Sequence, residues 1–207
     1  MVEARPARRV RAYVGLGANL GDAEATLAAA VRSLAALPGV SVRAVSPLYA
    51  TAPWGVADQP EFRNAVVALD VPAGPSAETG AMALLVALKD LERASGRQAR
   101  RRWGPRELDL DLLIFGRARL SIDRPLAGRS IDPAKAGLPL TIPHPAAHER
   151  LFVLAPLADL APWLVPPGWG ERVATARDRQ ARLEGPSAVR PIACWDDVGR
   201  RWVVPER

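Results

Sequence analysis

A chain of 207 residues with 49% hydrophobic and 24% charged residues can bury one sizeable core and is not disordered or fibrous. One cysteine, Cys194, excludes an intrachain disulfide and a cysteine-built zinc site, and no apolar run approaches the roughly 20 residues of a membrane helix. A net charge of +6 leaves open nucleic acid, an anionic membrane surface or a phosphorylated small molecule.

The first strand is expected from the alternation of Val10, Ala12, Val14 and Leu16 with Arg11, Tyr13 and Gly15. Residues 17–22 read as a turn, with Asp22 capping a helix over 23–36 whose face carries Leu27, Val31 and Leu34. Pro38-Gly39 stops it, and a second strand is expected over 40–44. Residues 46–62, rich in proline and glycine, read as an irregular loop, and 64–69 as a third strand. Ser76 opens a helix to about Ser95, with Leu84, Leu85, Leu88 and Leu91 as its stripe and Gly96 as its stop. A strand over 107–115, an inserted loop over 117–139 and a short helix over 146–158 follow. The order is strand, helix, strand, strand, helix, strand. That predicts an α+β protein with a ferredoxin-like βαββαβ core, an antiparallel sheet with helices packed on it, three layers α/β/α overall. Residues 163–207 show turns and tryptophans but no separate domain, so 1–207 is read as one domain.

The positive charge is local. Arg5, Arg8, Arg9 and Arg11 form one cluster; Arg97, Arg100, Arg101, Arg102 and Arg106 form another. Without these nine, 19 basic residues face 22 acidic ones, a balance of −3. The second cluster leads into Leu108-Asp109-Leu110-Asp111-Leu112. In a strand, Leu108, Leu110, Leu112 and Ile114 share one side, and Asp109 and Asp111 the other, their Cα atoms roughly 6.6 Å apart. Two carboxylates at that spacing suit hard cations such as Mg²⁺, and the upstream arginines suit the phosphate oxygens those cations hold. That is the equipment of phosphoryl transfer. The competing reading is an exposed strand face of paired charges. A rigid Trp103-Gly104-Pro105 turn, which fixes Arg106 near the carboxylates, favours the first.

Other motifs are weaker. Gly15-Leu16-Gly17-Ala18-Asn19-Leu20-Gly21 misses the dinucleotide fingerprint by one position, and neither Lys89 nor Lys135 sits in a Walker A loop. His144 and His148 have i, i+4 spacing, but a phosphate contact by His144 is a better reading than a zinc pair. Phe62 and Phe152 are core residues by default; facing each other across a cleft they would sandwich a flat heterocycle whose edge Asn64 could read.

These segments together resemble the 6-hydroxymethyl-7,8-dihydropterin pyrophosphokinases of folate biosynthesis. The likeness runs through the opening at 14–22, the stretches 46–55 and 58–65, Leu91-Glu92 to Gly96-Arg97, the Arg-Trp-Gly-Pro-Arg-Glu-Leu-Asp-Leu-Asp run at 102–111, and 140–157. It covers about residues 10–162. The resemblance implies pyrophosphoryl transfer from ATP to the pterin hydroxymethyl oxygen, releasing AMP. It implies two Mg²⁺ ions on Asp109 and Asp111, with Arg97 and Arg106 as catalytic phosphate clamps. On the ATP side it implies Glu92, Arg102, Trp103, Ile142, His144 and Arg150. Around the pterin it implies Thr51, Ala52, Trp54, Phe62, Asn64 and Phe152. The loops about 46–58 and 97–105 would close over the substrates. Such a protein is expected to be a cytoplasmic monomer that handles small molecules and neither nucleic acid nor membrane. The rival expectations are a basic RNA-binding ferredoxin-like module and a metal-dependent phosphohydrolase using the same two aspartates.

Overall fold

The computed structural model describes residues 8–52, 59–96, 105–132, 136–185 and 187–205. Strand β1 (Arg9–Ala18) pairs antiparallel with β4 (Phe62–Pro72) on one side and β5 (Asp109–Phe115) on the other. Helix α1 (Ala23–Ala36) follows β1, and Asp22 caps it as expected, its carboxylate accepting from Ala25 N at 3.0 Å. Strand β2 (Ser41–Val45) pairs with the far half of β4. Helix α2 (Ala77–Ala94) starts at Ser76, whose hydroxyl accepts from Thr79 N, and ends at Gly96 with φ of 76°. The order β1-α1-β2-β4-α2-β5 is the expected βαββαβ core.

Two local expectations change. Strand β1 runs on through Gly17 and Ala18, because Gly17 has ladder partners on both sides, Asn64 and Asp109. The expected loop over 46–62 contains strand β3 (Leu48–Thr51), which lies between β4 and β8 (Val189–Asp196). All four of its residues are buried, so it shows no alternation, and Pro47 and Pro53 flank it.

The sheet order is β5-β1-β4-β3-β8-β9, with β9 at Arg201–Val203 and β2 also on β4. Leu27, Val31 and Leu34 of α1 and Leu84, Leu85 and Leu88 of α2 bury against one face. Helices α3 (Leu151–Leu160) and α4 (Val173–Glu184) cover the other, through Leu154, Leu157, Val173 and Ala176. This gives the three layers. Each such fully buried leucine is worth about 2–5 kcal/mol on truncation to alanine. The helix expected over 146–158 is split: a 3₁₀ turn at Ala147–Glu149, then extended backbone at Arg150 (φ −132°, ψ 112°), then α3.

The insertion hangs from a ribbon in which β6 (Leu120–Ile122) pairs with β7 (Leu140–Ile142). Arg93 of α2 holds it by donating to Ala127 O at 2.6 Å. The C-terminal stretch joins the main sheet through β8, and Trp202 of β9 donates Nε1–H to Ser46 O at 3.0 Å. No helix among the described residues is long and apolar enough to cross a membrane.

Candidate active site

The site lies on the α3/α4 face of the sheet, where β4, β1 and β5 run side by side. Across these strands Asn64, Gly17 and Asp109 are in register, and so are Val66, Gly15 and Asp111. The central strand therefore places Gly17 between two polar residues and Gly15 between an apolar one and a carboxylate. A methyl group on Gly17 would lie 3.2 Å from Asn64 Oδ1 and 4.0 Å from Asp109 Cβ. The missing side chain at Gly17 leaves a shallow cleft, with Asn64 and Asp109 separated by two strand spacings, roughly 10 Å, while the Leu113 side chain covers Gly15, 3.5 Å from where a methyl group would stand.

At the β5 side, Arg106 is ion-paired with Asp109, both largely buried. Asp111 follows one pleat along on the same face. The expectation that Leu108, Leu110 and Leu112 point into the opposite core holds, but Ile114 does not join them. A register shift opposite Tyr13 and Val14 makes a bulge, so Leu113 and Ile114 both face α3 and α4. The edge of β5 is held by two buried groups of α2. Lys89 Nζ donates to Leu110 O at 2.9 Å and to Glu92 Oε1 at 2.8 Å, and Glu92 Oε1 accepts from Leu110 N at 2.7 Å. Glu92, which the resemblance places at the nucleotide, has no exposed surface here. It grips the residue between the two aspartates. Arg124, at the start of the insertion, reaches the same corner and donates to Pro139 O at 3.1 Å. Burial pulls its guanidinium below the ordinary arginine value, while the carboxylates of Asp111 and Glu92 oppose that.

At the other side, Asn64 Nδ2 donates to Thr51 Oγ1 at 2.7 Å, and both side chains are buried. This points Asn64 Oδ1 over Gly17 and leaves the Thr51 hydroxyl proton able to donate onward. Phe62 is paired with Thr51 on the same face. Phe152, in the first turn of α3, packs with Tyr49, Leu151, Ala155 and Val189, and the Arg150 guanidinium lies 5.8 Å from its ring centre. Ala52 is exposed just beyond β3.

The segment after β7 runs beside β5: His144 N donates to Leu113 O at 2.8 Å, and His144 Nδ1 accepts from Ala146 N at 3.3 Å. That places the proton of a neutral ring on Nε2. Ile142, by contrast, is buried in the α1/α2 core, so only its backbone can serve a ligand. His148 packs against Trp169, ring centres 5.6 Å apart, away from any shared site with His144. Trp54, Arg97, Arg102 and Trp103 lie outside the described residues.

Several residues of the site were not foreseen. Lys89 joins the expected Glu92 on the buried stripe of α2, and an i, i+3 charge pair inside a leucine face is a readable signal. Asn19, from the glycine-rich opening, is 4% exposed and ties two loops together. Its Oδ1 accepts from Arg106 N at 2.8 Å, and its Nδ2 donates to Gln59 Oε1 and Pro60 O. The motif thus joins the stretch before Phe62 to the stretch before Asp109. Nothing in the local sequence marked Arg124.

Two carboxylates, Asp109 ion-paired with Arg106 and Asp111 near the Arg124 guanidinium, fit a divalent cation only if ligand oxygens and water complete its shell. Among the described residues no group of three or more His, Cys, Asp or Glu could hold a metal alone. The donor set therefore suits a cation that arrives with a polyphosphate.

Comparisons with known proteins agree with this chemistry. A family model described as 7,8-dihydro-6-hydroxymethylpterin-pyrophosphokinase matches residues 13–162. The chain is 42% identical over 182 residues to a 2-amino-4-hydroxy-6-hydroxymethyldihydropteridine pyrophosphokinase of Methylorubrum extorquens, covering 88% of this chain and 98% of that one. It is 43% identical over 152 residues to the protein of the same name in Pseudomonas aeruginosa, covering 73% and 81%. In fold, it matches a crystal structure of Plasmodium falciparum HPPK-DHPS with a TM-score of 0.70 at 14% identity, over 97% of this chain and 49% of that longer one. The chain belongs to the 7,8-dihydro-6-hydroxymethylpterin-pyrophosphokinase family.

Proposed function

We infer that the cleft over Gly17 is where this chain moves the pyrophosphoryl group of ATP to the hydroxymethyl oxygen of 6-hydroxymethyl-7,8-dihydropterin. The carrying observation is the register Asn64–Gly17–Asp109, which sets a buried heterocycle-reading amide and an acidic corner on one sheet face, on either side of a glycine. Asn64 and Thr51 read the edge of the pterin, and Phe62 and Phe152 stack on its faces. Trp54 and the backbone at Ala52 complete that side. The hydroxymethyl group then points along the floor toward Asp109 and Asp111. These two carboxylates would hold two Mg²⁺ ions, whose charge would neutralise that of the phosphates.

Arg97, Arg102, Arg106, Arg124, Arg150 and His144 surround the triphosphate, with Trp103 closing over it. The pterin oxygen attacks the β-phosphorus in line, the bond to the α-phosphate bridging oxygen breaks, and AMP leaves. Arginine donors fixed beforehand favour the charge that develops, which together with alignment supplies most of the rate. Glu92 and Lys89 act through β5 by holding Leu110. The small soluble reactants support a cytoplasmic location. The joining of β8 and β9 to the sheet that carries the cleft supports reading 1–207 as one domain.

The test supplies ATP, Mg²⁺ and the hydroxymethyl dihydropterin and follows AMP. Pterin-dependent AMP release is expected. Folded protein that makes no AMP would overturn the reading; phosphate released without pterin would favour a hydrolase, and salt-sensitive RNA binding without turnover an RNA module.

A further inference from the structure

We propose that the C-terminal helix α4 and the start of β8 form the rear wall of the pterin pocket, and that Glu184 is a positioning residue for Phe152. This rests on the reading of Phe152 as a stacking residue. The family match ends at residue 162, so this wall lies wholly outside the matched segment.

Helix α3, which carries Phe152 in its first turn, is anchored by Leu154 and Leu157 but has no cap of its own at the end that carries the ring. It has ten residues, contains Pro156, and Arg150 at its N-cap makes no side-chain cap bond. Short helices depend on tertiary contacts for their placement. Glu184, the last residue of α4, supplies the missing cap. Its Oε1 accepts from Leu151 N at 2.9 Å, one residue from Phe152. The same oxygen accepts from Gln180 Nε2 at 2.9 Å, and Gln180 is 7% exposed, so the carboxylate is aimed.

A second strut comes from Arg179, whose Nη2 donates to His148 O at 2.9 Å and pairs with Glu171 at 3.0 Å. The far end of α3 is tied to β3 by Tyr49 Oη, which donates to Asp159 Oδ2 at 2.6 Å. Ala181, Ala188 and Val189 fill the space behind the ring with Tyr49 and Leu151. The ring therefore stands on residues of the extension, and its height over the floor depends on where Glu184 holds the helix end.

The experiment measures KM for each substrate at saturating concentration of the other, together with kcat and thermal midpoint. Loss of a cap bond of about 1 kcal/mol should show as a roughly fivefold rise in pterin KM for Glu184→Ala. ATP KM and kcat should stay within about twofold, and Glu184→Gln, which keeps the accepting oxygen, should restore the wild-type value. A lowered thermal midpoint with both KM values unchanged would overturn the positioning role. If Glu184→Ala does not fold, Gln180→Ala carries the test: a raised pterin KM supports the proposal and an unchanged one overturns it. Absence of turnover in the wild-type chain would instead fail the stacking reading on which this stands.

Discussion

The two arginine clusters are alike in composition and opposite in what they do. In the first, Arg9 Nη2 donates to Gly39 O and Asp70 O at 2.8 Å, and Arg11 Nε pairs with Asp70 Oδ1 at 2.8 Å, joined by Arg43 at 3.3 Å. These bonds fasten the far end of β1 to β4 and to the turn after α1. They lie at the opposite end of β1 from the cleft, and Arg11 is 43% exposed. The second cluster leads into buried carboxylates, and its described member, Arg106, is 18% exposed beside Asp109. Charge of one sign serves as a strap where it meets a solvated carboxylate and backbone oxygens. On the proposed function it serves as a phosphate receptor where it is half-buried next to the two aspartates and its ligand arrives from solvent. Net charge, which first suggested nucleic acid, does not distinguish the two; position in the register does.

The comparison breaks most visibly at the acidic corner. Asp111→Asn should lower kcat by about 10³-fold or more while leaving the thermal midpoint almost unchanged, because the carboxylate works on developing charge rather than on packing. AMP release and thermal denaturation measure both. Arg124→Met keeps the apolar stem and removes the guanidinium. It should raise the KM for ATP about tenfold and leave the KM for pterin within about twofold, read from the same assay. The smallest effect belongs to the strap. Asp70 is held below its ordinary value of 3.8 chiefly by the hydrogen bond from Arg11. A depressed carboxylate contributes stability above its unfolded pKa and loses it as pH falls through the folded one. Asp70→Asn should therefore cost about 0.5 kcal/mol near neutrality and nothing well below pH 3, with activity unaltered. Urea denaturation at the two pH values checks it.

Much of the fold could be read from periodicity, because α1, α2, β1 and β5 each bury one clear face. Strand β3 could not, since a four-residue strand buried on both sides carries no alternation. The face switch at Ile114 was hidden for a related reason: a bulge depends on the partner strand, not on the residues that bulge. In the site, Asp109 and Asp111 were legible from their spacing, Phe152 was a candidate because aromatics make up only 5% of the chain, and Asn64 because it lies close to Phe62 and has both a donor and an acceptor. The meaning of Gly17 was not legible. Its role comes from what stands on either side of it, two strands that are 45 or more residues away in sequence. Arg124 and Glu184 escaped for the same reason, since each acts on a partner brought close only by the folded chain.

The most direct test of the contrast sets two substitutions of identical chemistry side by side, Arg106→Gln and Arg11→Gln, and compares kcat/KM for ATP in pterin-dependent AMP release. A loss of about 10²-fold or more is expected for the first and less than about twofold for the second. Equal losses, or a larger loss at Arg11, would contradict the division of the arginines into receptor and strap.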